Sequence, residues 1–136
     1  MKPLVVLLDL SVLATESTSR GIGRYGDELA RALHAETRGG GSFRILGVAA
    51  LPLWGPPRVS EDIPAVLEEL RSRRSRQGKG SWASRVRLSL ARAAESADAH
   101  VVHSLDPAAT PLTALGCPRV VTCHHVESAV SAEAWL

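Results

Sequence analysis

Residues 4–33 read LVVLLDLSVLATESTSRGIGRYGDELARAL, and three patterns follow one another within them. Leu4–Leu10 is nearly continuous apolar sequence, as in a strand covered on both faces of a parallel sheet. Ser11–Arg20 is polar and rich in Ser and Thr. Ile22, Tyr25, Leu29 and Leu33 then recur at three- and four-residue spacing, which is one face of a helix running to about Arg38. Gly39-Gly40-Gly41 ends it. Strand, connection and helix in this order form the first part of a βαβ unit.

The same alternation continues outward. Phe43–Leu51 reads as a second strand and Pro52–Ser60 as a loop with three prolines. Asp62 and Pro64 open a helix, since acids and proline favour the first turn. Its buried stripe is Ile63, Val66, Leu67 and Leu70. Gln77–Gly80 is a polar break. A third helix carries Trp82, Val86, Leu90, Ala93 and Ala97 on one side. Ala99–Leu105 is a strand, Pro107–Gly116 a short helix or turn, and Pro118–His124 a last strand. The tail from Val126 has no assignable pattern, and no internal repeat is visible. Strands separated by helices imply the α/β class: a single domain with a Rossmann-like parallel sheet and helices on both faces.

Composition narrows the function classes. The 136 residues are 45% hydrophobic, enough for one core, so the chain is not read as disordered. A net charge of +2 and 4% aromatic residues argue against a nucleic-acid partner. Arg71, Arg73, Arg74, Arg76 and Lys79 cluster locally. They suit a solvated helix end and loop, or a patch for anionic lipid or an acidic partner. Cys117 and Cys123 fall in one expected strand, roughly 20 Å apart at about 3.3 Å per residue. They are too far apart to pair, in keeping with a reducing cytoplasm, and read as small buried residues. Lys2 and Pro3–Leu8 imitate a signal peptide, but Asp9 interrupts the run and no cleavage pattern follows. No stretch approaches the roughly 20 apolar residues of a membrane span.

In parallel sheets, ligands bind beyond the carboxyl ends of the strands. Three segments are therefore the candidates: Ser19–Gly26, His103–Asp106 and Thr122–His125. Gly21, Gly23 and Gly26 match G-x-G-x-x-G literally. Ten residues separate this motif from the first strand, and the second strand ends Val48-Ala49-Ala50-Leu51 without an acid, so a dinucleotide site is disfavoured. A helix N-terminus with Gly21 and Gly23, and Arg20 or Arg24 beside it, suits a phosphate. An ordinary turn using glycine freedom explains the same residues, and spacing does not decide between the two. His103 and His124 end strands, where an imidazole can move protons near neutrality or serve a structural hydrogen bond. His124 and His125 point to opposite sides, so only one faces the site. His103, His124, Asp106 and Glu127 lack metal-ligand spacing, so no metal site is expected. Ser104 and Ser128 lack the nucleophile-elbow setting of a hydrolase.

Three motifs carry a resemblance. Gly21-Ile22-Gly23-Arg24-Tyr25 with Glu28-Leu29 and Ala32-Leu33 is similar to the first loop and helix of retaining family 4 glycosyltransferases of the glycosyltransferase-B fold. Val101-Val102-His103 with Pro111 resembles a second motif, and Val120-Val121-Thr122-Cys123-His124 a third. They occur in the family's order across nearly the whole chain. The resemblance implies that residues 1–136 are the N-terminal, acceptor-side domain of a two-domain enzyme, with the C-terminal donor domain absent. Such an enzyme moves a sugar from a nucleotide-diphosphate donor to a glycan, lipid-linked or small-molecule acceptor, with no other cofactor.

By position, Gly21, Gly23 and Arg24 would meet the donor phosphates. His124 would stand at the reaction centre as the catalytic candidate, and His103, Asp106 and His125 on the acceptor and sugar side. His125 replaces the Asp often found there. The region Pro52–Gly80 would select the acceptor. Without the donor domain the chain is expected to be inactive or nearly so, cytoplasmic, with peripheral contact to the inner membrane face as an option. Two other classes remain open. One is a non-catalytic interaction module that uses Trp135 and Leu136. The other is a different nucleotide-binding Rossmann protein.

Overall fold

The computed structural model describes residues 2–49, 57–72, 82–106 and 116–123, with the backbone alone at residues 16, 17 and 82–88. Five strands form one sheet: β1 (Leu4–Asp9), β2 (Phe43–Ala49), β3 (Arg58–Ser60), β4 (Val101–Ser104) and β5 (Arg119–Val121). Their order is β3-β2-β1-β4-β5. β1 pairs in parallel with β2 on one side and β4 on the other, and β5 extends the parallel part. β3 pairs antiparallel with β2. The chain is thus an α/β protein with a mostly parallel sheet.

Alternation along β1 explains the two-sided cover. Leu8, with Leu10 just beyond the strand, enters a cluster with Ala30 of α1 (Gly21–Thr37) and Ile63, Val66, Leu67 and Leu70 of α2 (Ile63–Ser72). Val5 and Leu7 enter a second cluster with Leu90, Ala93 and Ala94 of α3 (Trp82–Ser96). Helices therefore cover both faces. Each fully buried Leu contributes about 1.5–3 kcal/mol relative to exposure.

α2 follows its sequence pattern closely. The four expected stripe residues are all buried. Ala65 N–H donates to Asp62 Oδ1 at 3.1 Å, an N-cap contact. Gly47 of β2 lets the helix approach, because a Cβ there would stand 2.8 Å from Ile63 Cδ1. α1 keeps most of its expected face, with Ile22, Leu29 and Leu33 packed against the core, and departs from it at Tyr25. Its buried residues are Gly23, Gly26 and Ala30, while Tyr25 is 41% exposed. Small residues let the helix lie close to the sheet, and that contact outweighs burial of the larger tyrosine. α1 ends at Thr37, and Gly40 takes the left-handed conformation at φ 80°.

Other expectations change in detail. Ser11–Arg20, read only as a polar stretch, holds two 3-10 turns, Ser11–Ala14 and Glu16–Ser19. Arg58–Ser60, expected within a loop, forms β3; three residues are too few to show a period, and pairing with β2 makes them a strand. β5 is shorter than Pro118–His124, and its three residues are all exposed. Cys117 is half-buried and Cys123 exposed, both as free thiols. Cys123 lies beyond the end of β5, so it gains no cover from the sheet. The polar break at Gln77–Gly80 and Pro111 lie outside the described residues. Among the described residues no helix is long and apolar enough to cross a membrane.

Candidate functional site

The carboxyl ends of β1 and β4 lie side by side, with Asp9 opposite Ser104 in the register. The connection leaving β1 runs to β2 on one side and that leaving β4 runs to β5 on the other, so the two diverge here. Asp9 is the group sequence reasoning passed over. It is 2% exposed, and its Oδ1 accepts the Ser11 backbone N–H at 2.9 Å. Burial pushes its pKa up to about 6; the Ser11 hydrogen bonds oppose the rise and the Asp106 charge adds to it. The available signal was a lone acid in an otherwise apolar strand.

β4 contributes His103, whose Nε2 lies 2.8 Å from Thr122 Oγ1 just past β5. Burial holds its pKa below the ordinary histidine value, which favours the neutral imidazole. Leu105 follows and packs beneath Gly26 of α1, where a Cβ would stand 2.9 Å from Leu105 Cδ1. Asp106 comes next, close enough for its charge to act on Asp9.

The third part is the start of α1. The 3-10 turns before it are closed by backbone bonds from Leu13 N–H to Leu10 O and from Thr18 N–H to Thr15 O. The Thr18 hydroxyl donates to the Leu13 and Thr15 carbonyls. This folded loop presses the Thr18 backbone onto Gly23, where a Cβ would collide with it. Gly23 and Arg24 donate their amides to Arg20 O at 3.1 and 3.2 Å. An anion at this helix end would therefore meet the amides of Gly21 and Ile22. Gly21 is exposed, with open space where its Cβ would be. Gly23 thus answers a packing demand of its own chain, whatever else the helix end does.

Beside this terminus a cleft of about 270 Å³ opens between α1 and α2. Leu13, Thr18, Gly23 and Leu67 form its less polar part, and Arg24, Asp27, Glu28 and Arg71 its charged part. Arg71 donates to Asp27 at 2.8 Å, and Arg31 binds the same carboxylate at 2.9 Å. The cleft joins Gly23 and Arg24 to these groups, but neither His103 nor Asp106 lines it. His124, His125, Glu127 and Ser128 lie outside the described residues, as do Arg73, Arg74, Arg76 and Lys79. No group of three side chains able to hold a metal occurs among the described residues. Comparison with family models, with curated proteins and with solved structures found no match to this chain.

Proposed function

We propose that the chain is the acceptor-side half of a glycosyltransferase that uses a nucleotide-diphosphate sugar. One observation carries the reading: β1 and β4 are neighbours whose following connections run to opposite sides of the sheet, and the start of α1 follows β1 at that point. That is where open parallel sheets receive phosphorylated ligands. The Gly21 and Ile22 amides and the exposed Arg24 guanidinium supply positive potential there. His103, held neutral, supplies a proton acceptor on the acceptor side, with Asp106 two positions beyond the strand.

In the full enzyme, His124 would approach the transferred sugar. A C-terminal donor domain would supply most of the stabilisation of the leaving diphosphate. A cytoplasmic setting agrees with the two free thiols. The test is calorimetric titration of the chain with UDP-glucose, GDP-mannose and NAD. Binding of either sugar nucleotide, weakened at least tenfold by Arg24→Ala, is the expected result. Tight NAD binding with no response to sugar nucleotides would overturn it.

A second reading, as an interaction module, draws on β5. Val120 and Val121 are 49% and 37% exposed on this short strand. Such strands recruit further strands from partners.

A further inference from the structure

The cleft between α1 and α2 contains two guanidinium groups, and they differ in availability. Arg24 is exposed and makes no ion pair among the described residues. Arg71 is tied to Asp27, and its side chain is 46% exposed. Asp27 also holds Arg31, which does not line the cleft. Arg71 can therefore leave Asp27 without stranding that carboxylate. An exposed ion pair of this kind is weak, whereas a bidentate guanidinium–phosphate contact is among the stronger polar contacts a protein makes. The exchange favours an incoming phosphate.

We infer that this cleft receives a sugar phosphate, with Arg24 and Arg71 on the phosphate and Asp27 and Glu28 on the hydroxyl groups of the sugar. The carboxylates are the natural acceptors for hydroxyl donors. Leu13 and Leu67 offer an apolar floor to the sugar's C–H face. The volume of about 270 Å³ lies just below the roughly 300–1,000 Å³ of pockets for drug-sized ligands, so it admits a sugar phosphate more readily than a whole sugar nucleotide. The inference rests on the glycosyltransferase reading only for the identity of the ligand's hydroxylated body. Its new content is the participation of α2 through Arg71.

The experiment is calorimetric titration of the whole chain with glucose 1-phosphate, glucose and inorganic phosphate. Arg71→Ala, Arg71→Gln and Arg24→Ala are compared with Arg44→Ala, a control outside the cleft. Circular dichroism confirms that each variant is folded. Glucose 1-phosphate should bind at least tenfold more tightly than phosphate or glucose. Each cleft variant should weaken it at least tenfold, and the control should change it less than twofold.

No saturable binding overturns the inference. So does equal affinity for phosphate alone, or equal behaviour of the Arg71 variants and the control. Sugar-nucleotide binding that needs Arg24 but ignores Arg71 would also defeat it, while leaving the proposed function standing. Glucose 1-phosphate binding that needs Arg71, without any sugar-nucleotide binding, would keep this inference and remove the proposed function.

Discussion

The Asp9 carboxylate accepts the Ser11 backbone N–H at 2.9 Å from a position that is 2% exposed. The backbone and side-chain hydrogen bonds from Ser11 do not offset the loss of water around a charge. The folded-state pKa is raised from 3.8 to about 6, so this group adds stability below about pH 4 that is lost as pH rises through 6. The shift corresponds to about 3 kcal/mol at neutral pH, at about 1.4 kcal/mol per unit. Asp9→Asn keeps an oxygen for Ser11 and removes the charge. Urea unfolding at pH 5 and pH 7.5 should show the variant more stable than the wild type at the higher pH by about 2–3 kcal/mol. A smaller difference is expected at pH 5. Equal curves at both values would mean that the carboxylate is well solvated.

His103 has the opposite sign. Its folded pKa lies below the ordinary histidine value because burial disfavours the imidazolium. Stability from this group is present above the ordinary value and is lost as pH falls toward the lowered one. An NMR titration of its ring protons should give a midpoint below that of free histidine. A midpoint at or above it would contradict the half-buried placement.

The three glycines at the start of α1 should respond differently to alanine. Gly21→Ala meets open space and gains helix propensity, so it should be neutral or stabilising by up to about 1 kcal/mol. Gly26→Ala forces Leu105 to move and should cost about 1–3 kcal/mol. Gly23→Ala strikes the Thr18 backbone, which cannot rotate away, and should cost the most of the three. Thermal melts of the series test the ranking. A Gly23→Ala protein as stable as Gly21→Ala would refute the close approach of Thr18.

Asp62 caps α2 through the Ala65 amide at 3.1 Å. Asp62→Ala should lower stability by about 0.5–2 kcal/mol, and Asp62→Ser by less. Denaturant midpoints of the two variants distinguish loss of the cap from loss of the charge.

β5 should matter for solubility more than for folding. Val121 is 37% exposed, so Val121→Lys should shift stability by about 0.5 kcal/mol or less. The added charge should reduce self-association at high concentration, measured by light scattering. Unchanged scattering would point away from this strand as an associating edge.

Sequence pattern and structure agree where periodicity is strong. The α2 stripe was legible because four large residues mark its face. On α1 the expected Ile22, Leu29 and Leu33 do pack on the core, but Tyr25 does not, because apolar periodicity weighs size and the buried Gly23, Gly26 and Ala30 set the side that faces the sheet. β3 was invisible because a three-residue strand has no pattern apart from its partner. The parallel character followed from alternating elements. The central place of β1 did not, since nothing local to β2 or β4 states which neighbour each chooses. At the site, His103 was found from its place at the end of a strand, whereas Asp9 was seen only as an interruption. Its meaning depends on burial, which a single line of sequence does not display.

β1 is bonded on both edges, and its side chains divide between the two apolar clusters. Detaching either helical layer removes only part of its support. Amide hydrogen exchange should therefore be slowest at Val6, Leu7 and Leu8, approaching the rate set by global unfolding. The short outer strands should exchange through smaller openings that leave this central ribbon closed.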